Sequence, residues 1–215
     1  MPNGDKPTPV RPPAWALKRP RYEPGNYLAA RDLFDEQTYR RQRLRHHNRY
    51  LHGWGVVCGL WVVPAGDPAK PWLVQVCPGY ALDPCGGDLE VRQPVRVDLQ
   101  EHLWKRPQAH LTQILPAYVA LRSAAEPARF SPTHPPRCGC DDPAYQPTRV
   151  REGFRVDILW SLPPSPGEDI DFCREENPPC PAPPPNLYVV LARVALPPSE
   201  REPITASHIN NLKLF

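Results

Sequence analysis

The sequence predicts a mainly β protein, a β-sandwich or barrel-like fold with one N-terminal α-helix and long proline-rich loops. Prolines number 33 among 215 residues, about three times the usual share, and they interrupt most stretches in which a helix could form. Short runs of β-branched and aromatic residues recur between Pro-Gly and Gly-Gly turns, which is typical of sandwiches and barrels. Helix-forming residues are sparse outside one stretch near the N-terminus.

The helix is predicted over about residues 30–52. Asp32 is placed to cap its N-terminus, where a carboxylate faces the positive end of the helix dipole. Leu33, Leu44 and Leu51 recur at helical spacing. Arginines crowd the later turns, which suits the negative end of the dipole, and Gly53 falls where a C-terminal cap is expected. These arginines are Arg40, Arg41, Arg43, Arg45 and Arg49.

The strand predictions begin immediately after the helix. Residues 53–63, Gly-Trp-Gly-Val-Val-Cys-Gly-Leu-Trp-Val-Val, predict a buried strand in which Cys58 packs as a small hydrophobe. Two proline-dense loops, 127–147 and 163–185, each carry a pair of cysteines. Further strands are predicted over residues 71–77, 89–99, 114–122, 149–160 and 186–196.

The domain organisation predicted from composition has three parts. Residues 1–26 form a basic, proline-rich arm, residues 27–200 the β-rich domain, and residues 201–215 a C-terminal docking tail. Prolines favour an extended polyproline conformation in the arm. Two interpretations stay open for it, a disordered tail or an arm that lies along a neighbouring subunit with Trp15 and Tyr22 as anchors.

Charge and hydropathy exclude several classes of function. The formal net charge is +3, and the arginine run lacks the interleaved aromatic residues of a nucleic-acid surface, so nucleic acid is not expected as a partner. An apolar run of about 18 residues, the length of a membrane span, is not found. The N-terminus lacks the apolar core of a secretory signal, so synthesis in the cytoplasm is expected.

Cysteines carry the clearest candidate site. Cys138 and Cys140 lie in the first proline-dense loop, and Cys173 and Cys180 in the second. Four thiolates suit tetrahedral zinc, which would fasten loops with little apolar surface of their own. The spacing also leaves disulfides or unlinked thiols open, and His134 could replace one ligand. The prediction is one structural zinc ion; no open site with a general base points to a catalytic one.

Several segments resemble proteins encoded beside phage-tail and contractile injection system genes. The most specific is residues 48–60, Asn-Arg-Tyr-Leu-His-Gly-Trp-Gly-Val-Val-Cys-Gly-Leu. Residues 76–91, with Pro-Gly, Ala-Leu-Asp and Gly-Gly, are similar to a segment of fibre and baseplate-attached modules. Residues 187–196 and 203–211 resemble the later strand and the closing turn of those modules. The resemblance implies a structural part of a particle and no enzymatic activity.

The expected function is therefore that of an assembly subunit. The chain would contact other subunits in the baseplate or fibre-attachment region of a phage-tail-like contractile particle, which it would enter after synthesis and in which it would be oligomeric. Two alternatives are a metal-dependent hydrolase using His46, His47 or His52 with the cysteines, and an arginine-rich nucleic-acid-binding module. The residues predicted to contact partners are Trp15, Tyr22, Arg41, Arg45, Arg49, Leu212, Leu214 and Phe215.

Overall fold

A computed structural model describes residues 17–105, 116–132, 145–162 and 187–212. It divides the chain into two compact units, Met1–Arg45 and His46–Phe215. The described residues contain a single α-helix, close to the N-terminus, and ten β-strands in three sheets. The predicted fold class, mainly β with one N-terminal helix, is confirmed.

The helix, α1, spans Ala30–His47 and is preceded by exposed, largely irregular chain. The carboxylate of Asp32 accepts a hydrogen bond from the backbone N–H of Ala29 at 2.8 Å. Asp32 therefore lies inside the first turn and caps the N-terminus from there, by bonding back to the backbone of the residue before the helix. A π-helical turn, Asn48–His52, follows, and Gly53 ends it with a φ of 74°. Together the two elements fill the predicted range 30–52.

All strand pairs are antiparallel, and each sheet has a simple order. The first sheet holds β1 (Gly55–Gly59), β4 (Gly79–Leu82) and β5 (Asp88–Val91), in that order. The second holds β2 (Val62–Pro64), β3 (Leu73–Val76) and β6 (Val95–Asp98), in that order. The third has the order β10 (Ile209–Asn211), β9 (Val189–Val194), β7 (Ala117–Pro132), β8 (Tyr145–Leu159). Short 3₁₀ turns occupy Gln100–Lys105 and Ala206–His208.

Two predicted strands are each divided between two sheets. The chain leaves β1 and enters β2 at Leu60, whose φ of 56° turns the backbone sharply. The predicted strand 89–99 likewise forms β5 and β6, separated by residues 92–94, which end in Pro94. Residues 54–63 are apolar on both sides of the first break, and residues 89–99 keep the same period-two alternation on both sides of the second, so the sequence pattern alone did not reveal either break.

The predicted loop 127–147 is too long at both ends. β7 continues through Pro127 to Pro132, and β8 begins at Tyr145 and contains Pro147. Pro127 is tolerated in β7 because β9 pairs with β7 only as far as Leu121. Pro147 is tolerated because β8 is an edge strand among the described strands of its sheet. A proline there removes no ladder hydrogen bond on the open side. Cys138, Cys140 and the predicted loop 163–185 lie outside the described residues.

The three sheets of the second unit share one hydrophobic core. It includes residues from all three sheets, and its fully buried members include Val74, Leu89, Val119 and Leu191. Ile204, from the segment predicted as a docking tail, is 4% exposed and belongs to this core. Residues 203–212 are therefore part of the β-rich domain, because β10 pairs with β9 and completes the third sheet.

Candidate assembly surface

The segments that carry the family resemblance meet in space. β1 pairs with β4 so that Gly59 lies directly opposite Gly79. A Cβ atom at Gly59 would lie 2.2 Å from the carbonyl oxygen of Pro78, and one at Gly79 would lie 2.4 Å from that of Cys58. The two backbones approach so closely that both positions require glycine. These motif glycines therefore build the sheet.

Asn48 fixes the end of the helical segment to the first sheet. Its side chain is buried, and its Nδ2 donates to the carbonyl oxygen of Gly86 at 2.9 Å. Gly86 belongs to a turn held by Asp83, whose Oδ1 accepts the N–H groups of Cys85 and Gly87, both at 2.8 Å. The buried side chains of Asn48 and Asp83 thus both have hydrogen-bond partners, which is what burial requires.

A side-chain clamp joins the third resembling segment to the second sheet. The Oδ1 of Asn211 accepts the backbone N–H of Val62 at 2.8 Å, and its Nδ2 donates to the carbonyl oxygen of Val62 at 3.1 Å. The amide thereby replaces a neighbouring strand at the edge of β2. Asn48, Gly59, Gly79 and Asn211 therefore serve the fold.

The histidines do not form a metal centre within the described residues. The Nε2 atoms of His47 and His52 lie 3.2 Å apart, and both side chains are exposed. The ring of His46 stacks at a tilt on Tyr50, with centroids 5.9 Å apart. Among the described residues there is no group of three histidine, cysteine, aspartate or glutamate side chains placed to hold a metal ion.

Helix α1 exposes charged and apolar side chains together. None of its residues is buried, and Leu33, Phe34 and Leu44 are each more than half exposed. Arg41 and Arg45 are exposed as well. The remaining predicted arginine, Arg49, is half-buried, and its guanidinium lies 5.0 Å from the ring centroid of Tyr50. An exposed helix with apolar residues of this size is suited to contacts with another molecule.

A second surface was not predicted. Beyond Leu121, β8 is the only described strand that pairs with β7, and the two strands continue as residues 122–132 and 145–155, which we call the ribbon. Phe130, Tyr145 and Val150 on the ribbon are 57%, 65% and 67% exposed. A two-stranded ribbon without a packed face is marginally stable alone. Contact with a partner would bury these side chains and support the ribbon.

The strand register gives the ribbon two different faces. One face carries the pairs Arg122/Arg155, Glu126/Arg151 and Ala128/Arg149. The opposite face continues from the core and carries Phe154 and Val150 with Ala125, Pro127 and Glu152. Arg122 forms an ion pair with Asp157, and that hydrogen bond raises the pKa of the guanidinium above its usual value. In the sequence, the arginines at the odd-numbered positions 149, 151 and 155 are the pattern that indicates a strand with one basic face.

The other residues predicted to contact partners differ in their exposure to solvent. Tyr22 is half exposed, whereas Leu212 is half-buried and donates its N–H to the carbonyl oxygen of Leu191 at 2.9 Å. Leu212 also lines a cleft of about 230 Å³ that includes Cys58 and Trp61. Trp15, Leu214 and Phe215 lie outside the described residues.

The interpretation of Cys58 as a buried hydrophobe is wrong, because its side chain is exposed. β1 is an edge strand, and its register shifts between Val56 and Cys58, which breaks the alternation of inward and outward side chains. Cys77 and Cys85 are partly exposed. All three are free thiols.

The strands also constrain the predicted zinc site. A 15-residue strand such as β8 is about 46 Å long. Cys140 precedes the first residue of β8, Tyr145, and Cys173 follows its last residue, Leu159. The two cysteine pairs are therefore attached at opposite ends of β8. A four-cysteine centre within one chain requires residues 163–186 to return along the ribbon.

Comparison with known proteins adds no family assignment. The sequence matches no protein-family model, and no curated protein is significantly similar to it. Within the described parts of the chain, no helix has the length and apolar character needed to cross a membrane.

Proposed function

We propose that this chain is a structural subunit of a phage-tail-like contractile injection particle, with contacts in the baseplate or fibre-attachment region. The chain would be made in the cytoplasm and then built into the particle, in which it would be oligomeric. Its role would be to bind other subunits, with no catalytic step of its own.

The exposed ribbon carries this proposal. It presents large apolar side chains on an element that buries little against the rest of the described chain. Helix α1 adds a second exposed surface with apolar and basic side chains. Elements that bury so little intramolecularly are expected to become buried on assembly. The resemblance of residues 48–60 and 76–91 to particle-associated proteins supplies the kind of assembly.

The test is incorporation into particles. The chain should be expressed with its genomic neighbours, large particles separated on a density gradient, and their composition determined by mass spectrometry. Stoichiometric presence in sheath-containing particles supports the proposal. Absence from intact particles would contradict it.

A ribbon variant makes the test specific. We expect Phe130→Ser with Val150→Ser to lower incorporation at least about tenfold, because each lost apolar contact costs about 1.5–3 kcal/mol. The matched control is Leu162→Ser with Leu187→Ser, two side chains that are also about half exposed but lie outside the ribbon. Normal incorporation of the ribbon variant, with its circular dichroism unchanged, would exclude the ribbon as the contact.

We also propose that Cys138, Cys140, Cys173 and Cys180 hold one structural zinc ion. The purified protein is then expected to contain one zinc per chain and to lose thermal stability on chelation, since binding free energy contributes to folding. Cys138→Ser with Cys140→Ser should abolish the metal content measured by elemental analysis. The control Cys58→Ser with Cys85→Ser changes two free thiols and should retain it. Zinc-free protein with oxidised cysteines would replace this proposal with disulfides.

A further inference from the structure

The positive charge of the chain is concentrated on the ribbon. The ribbon contains five arginines and two glutamates, an excess of three positive charges. The formal net charge of the whole chain is also +3, so the charges of the remaining residues balance. Arg149 and Arg151 are exposed and lie on one face of β8, about 7 Å apart along the strand. This face is suited to a negatively charged partner surface.

A groove beside the base of the ribbon carries the opposite charge. It has a volume of about 660 Å³, and β5, its connection to β6 and part of β8 form its walls. The carboxylates of Asp88, Glu90 and Glu152 line it together with the guanidinium of Arg92, which pairs with Glu90 at 2.9 Å. Burial, and then the carboxylates of Asp88 and Glu90, raise the pKa of the neighbouring Tyr80 hydroxyl above its usual value. The lining of the groove therefore has an excess of negative charge.

The strand geometry keeps these two surfaces of one chain apart. Alternate residues of a strand point to opposite faces of the sheet. Glu152 and Phe154 line the groove from the face that continues from the core, whereas Arg149 and Arg151 share the opposite face. The two arginines therefore point away from the groove of their own chain. These complementary charges can meet between two copies.

We propose that the basic face of the ribbon docks in this groove of a second copy of the chain. Arg149 and Arg151 of one copy would then pair with Glu90 and Glu152 of the other. This contact rests on the proposed function, because it supplies the oligomer expected in the particle. Each copy offers both surfaces, so the contact either closes as a reciprocal dimer or continues around a ring.

Apolar side chains on both surfaces add to the contact. Phe130 and Tyr145 on the ribbon are more than half exposed, and the lining of the groove includes Pro94, Val95 and Phe154. Removal of these apolar surfaces from water provides affinity. The charge pairs fix the orientation and the choice of partner.

Sedimentation equilibrium of the purified full-length protein, before and after nuclease treatment, tests the proposal. We expect self-association with a dissociation constant on the order of 10 μM, since a contact that is repeated in an assembly need not be tight alone. Added salt should weaken it because the charge pairs are screened. Arg149→Glu with Arg151→Glu should weaken association at least about tenfold, and so should Glu90→Lys with Glu152→Lys, because each variant sets like charges opposite each other.

A mixture of the two variants separates a lost contact from a damaged fold. In the mixture, the new glutamates of one variant meet the new lysines of the other, and the unchanged arginines meet unchanged carboxylates. Association should therefore return to the wild-type level, which mixing two damaged folds could not achieve. The control Arg41→Glu with Arg43→Glu makes the same charge change on α1 and should associate like the wild-type protein.

Three results would overturn this contact. They are a wild-type protein that stays monomeric up to about 1 mM, a mixture that does not recover, and association that nuclease abolishes, which would assign the basic face to nucleic acid. Presence of the chain in particles despite any of these results would leave the proposed function standing. Self-association of this kind by a chain that is absent from particles would support the contact and contradict the proposed function.

Discussion

Replacement of Gly79 by alanine is expected to destabilise the protein by about 3 kcal/mol or more, at or above the upper end for overpacked cores. The added Cβ would lie 2.4 Å from both the carbonyl oxygen of Cys58 and the backbone nitrogen of Leu60. Both neighbours are backbone atoms, so only a separation of β1 from β4 relieves the overlap. Chemical denaturation followed by circular dichroism measures the free energy of unfolding.

The matched control is Gly153→Ala in β8. The nearest atom to a Cβ at Gly153 is the carbonyl oxygen of Ala124 at 3.8 Å, an ordinary contact. Its stability should change by no more than about 0.5 kcal/mol, as for most surface substitutions. If Gly79→Ala and Gly153→Ala proved equally stable, the close approach of β1 and β4 would be refuted.

Replacement of Asn211 by leucine is expected to cost about 1–3 kcal/mol for each backbone group of Val62 that loses its partner. Leucine has a similar size but supplies neither the acceptor for the N–H nor the donor for the carbonyl oxygen. Val62 is 1% exposed, which limits the access of water to the freed groups. Thermal and chemical denaturation of the isolated protein measure the loss.

Asn210→Leu is the control for the clamp. Asn210 is the neighbouring residue on β10, but its side chain is exposed, and the substitution should be almost neutral. Equal destabilisation by both leucines would indicate that β10 itself, rather than the amide of Asn211, is sensitive. Destabilisation confined to Asn211→Leu supports the clamp.

Local patterns in the sequence were sufficient for some parts of the fold. The helical segment 30–52 was predictable because periodicity, charge and Gly53 all act within a few residues. The ribbon was not, because the cost of Pro127 in a strand depends on whether the adjacent edge is paired. The partner of Asn211 lies 149 residues away, and no local pattern reports such a distance. The apolar side chains of the ribbon, Phe130, Tyr145 and Val150, were missed because the pairing of β7 with β8 is also not visible in a local pattern.

The link between Asn211 and Val62 also has a consequence for the timing of folding. During synthesis the edge of β2 must wait for Asn211, which is made 149 residues after Val62, a delay on the order of ten seconds at ordinary rates of elongation. Until then the N–H and the carbonyl oxygen of Val62 lack their hydrogen-bond partner, the side-chain amide of Asn211. The second sheet is consequently a late-maturing part of the nascent protein, although its strands emerge early from the ribosome.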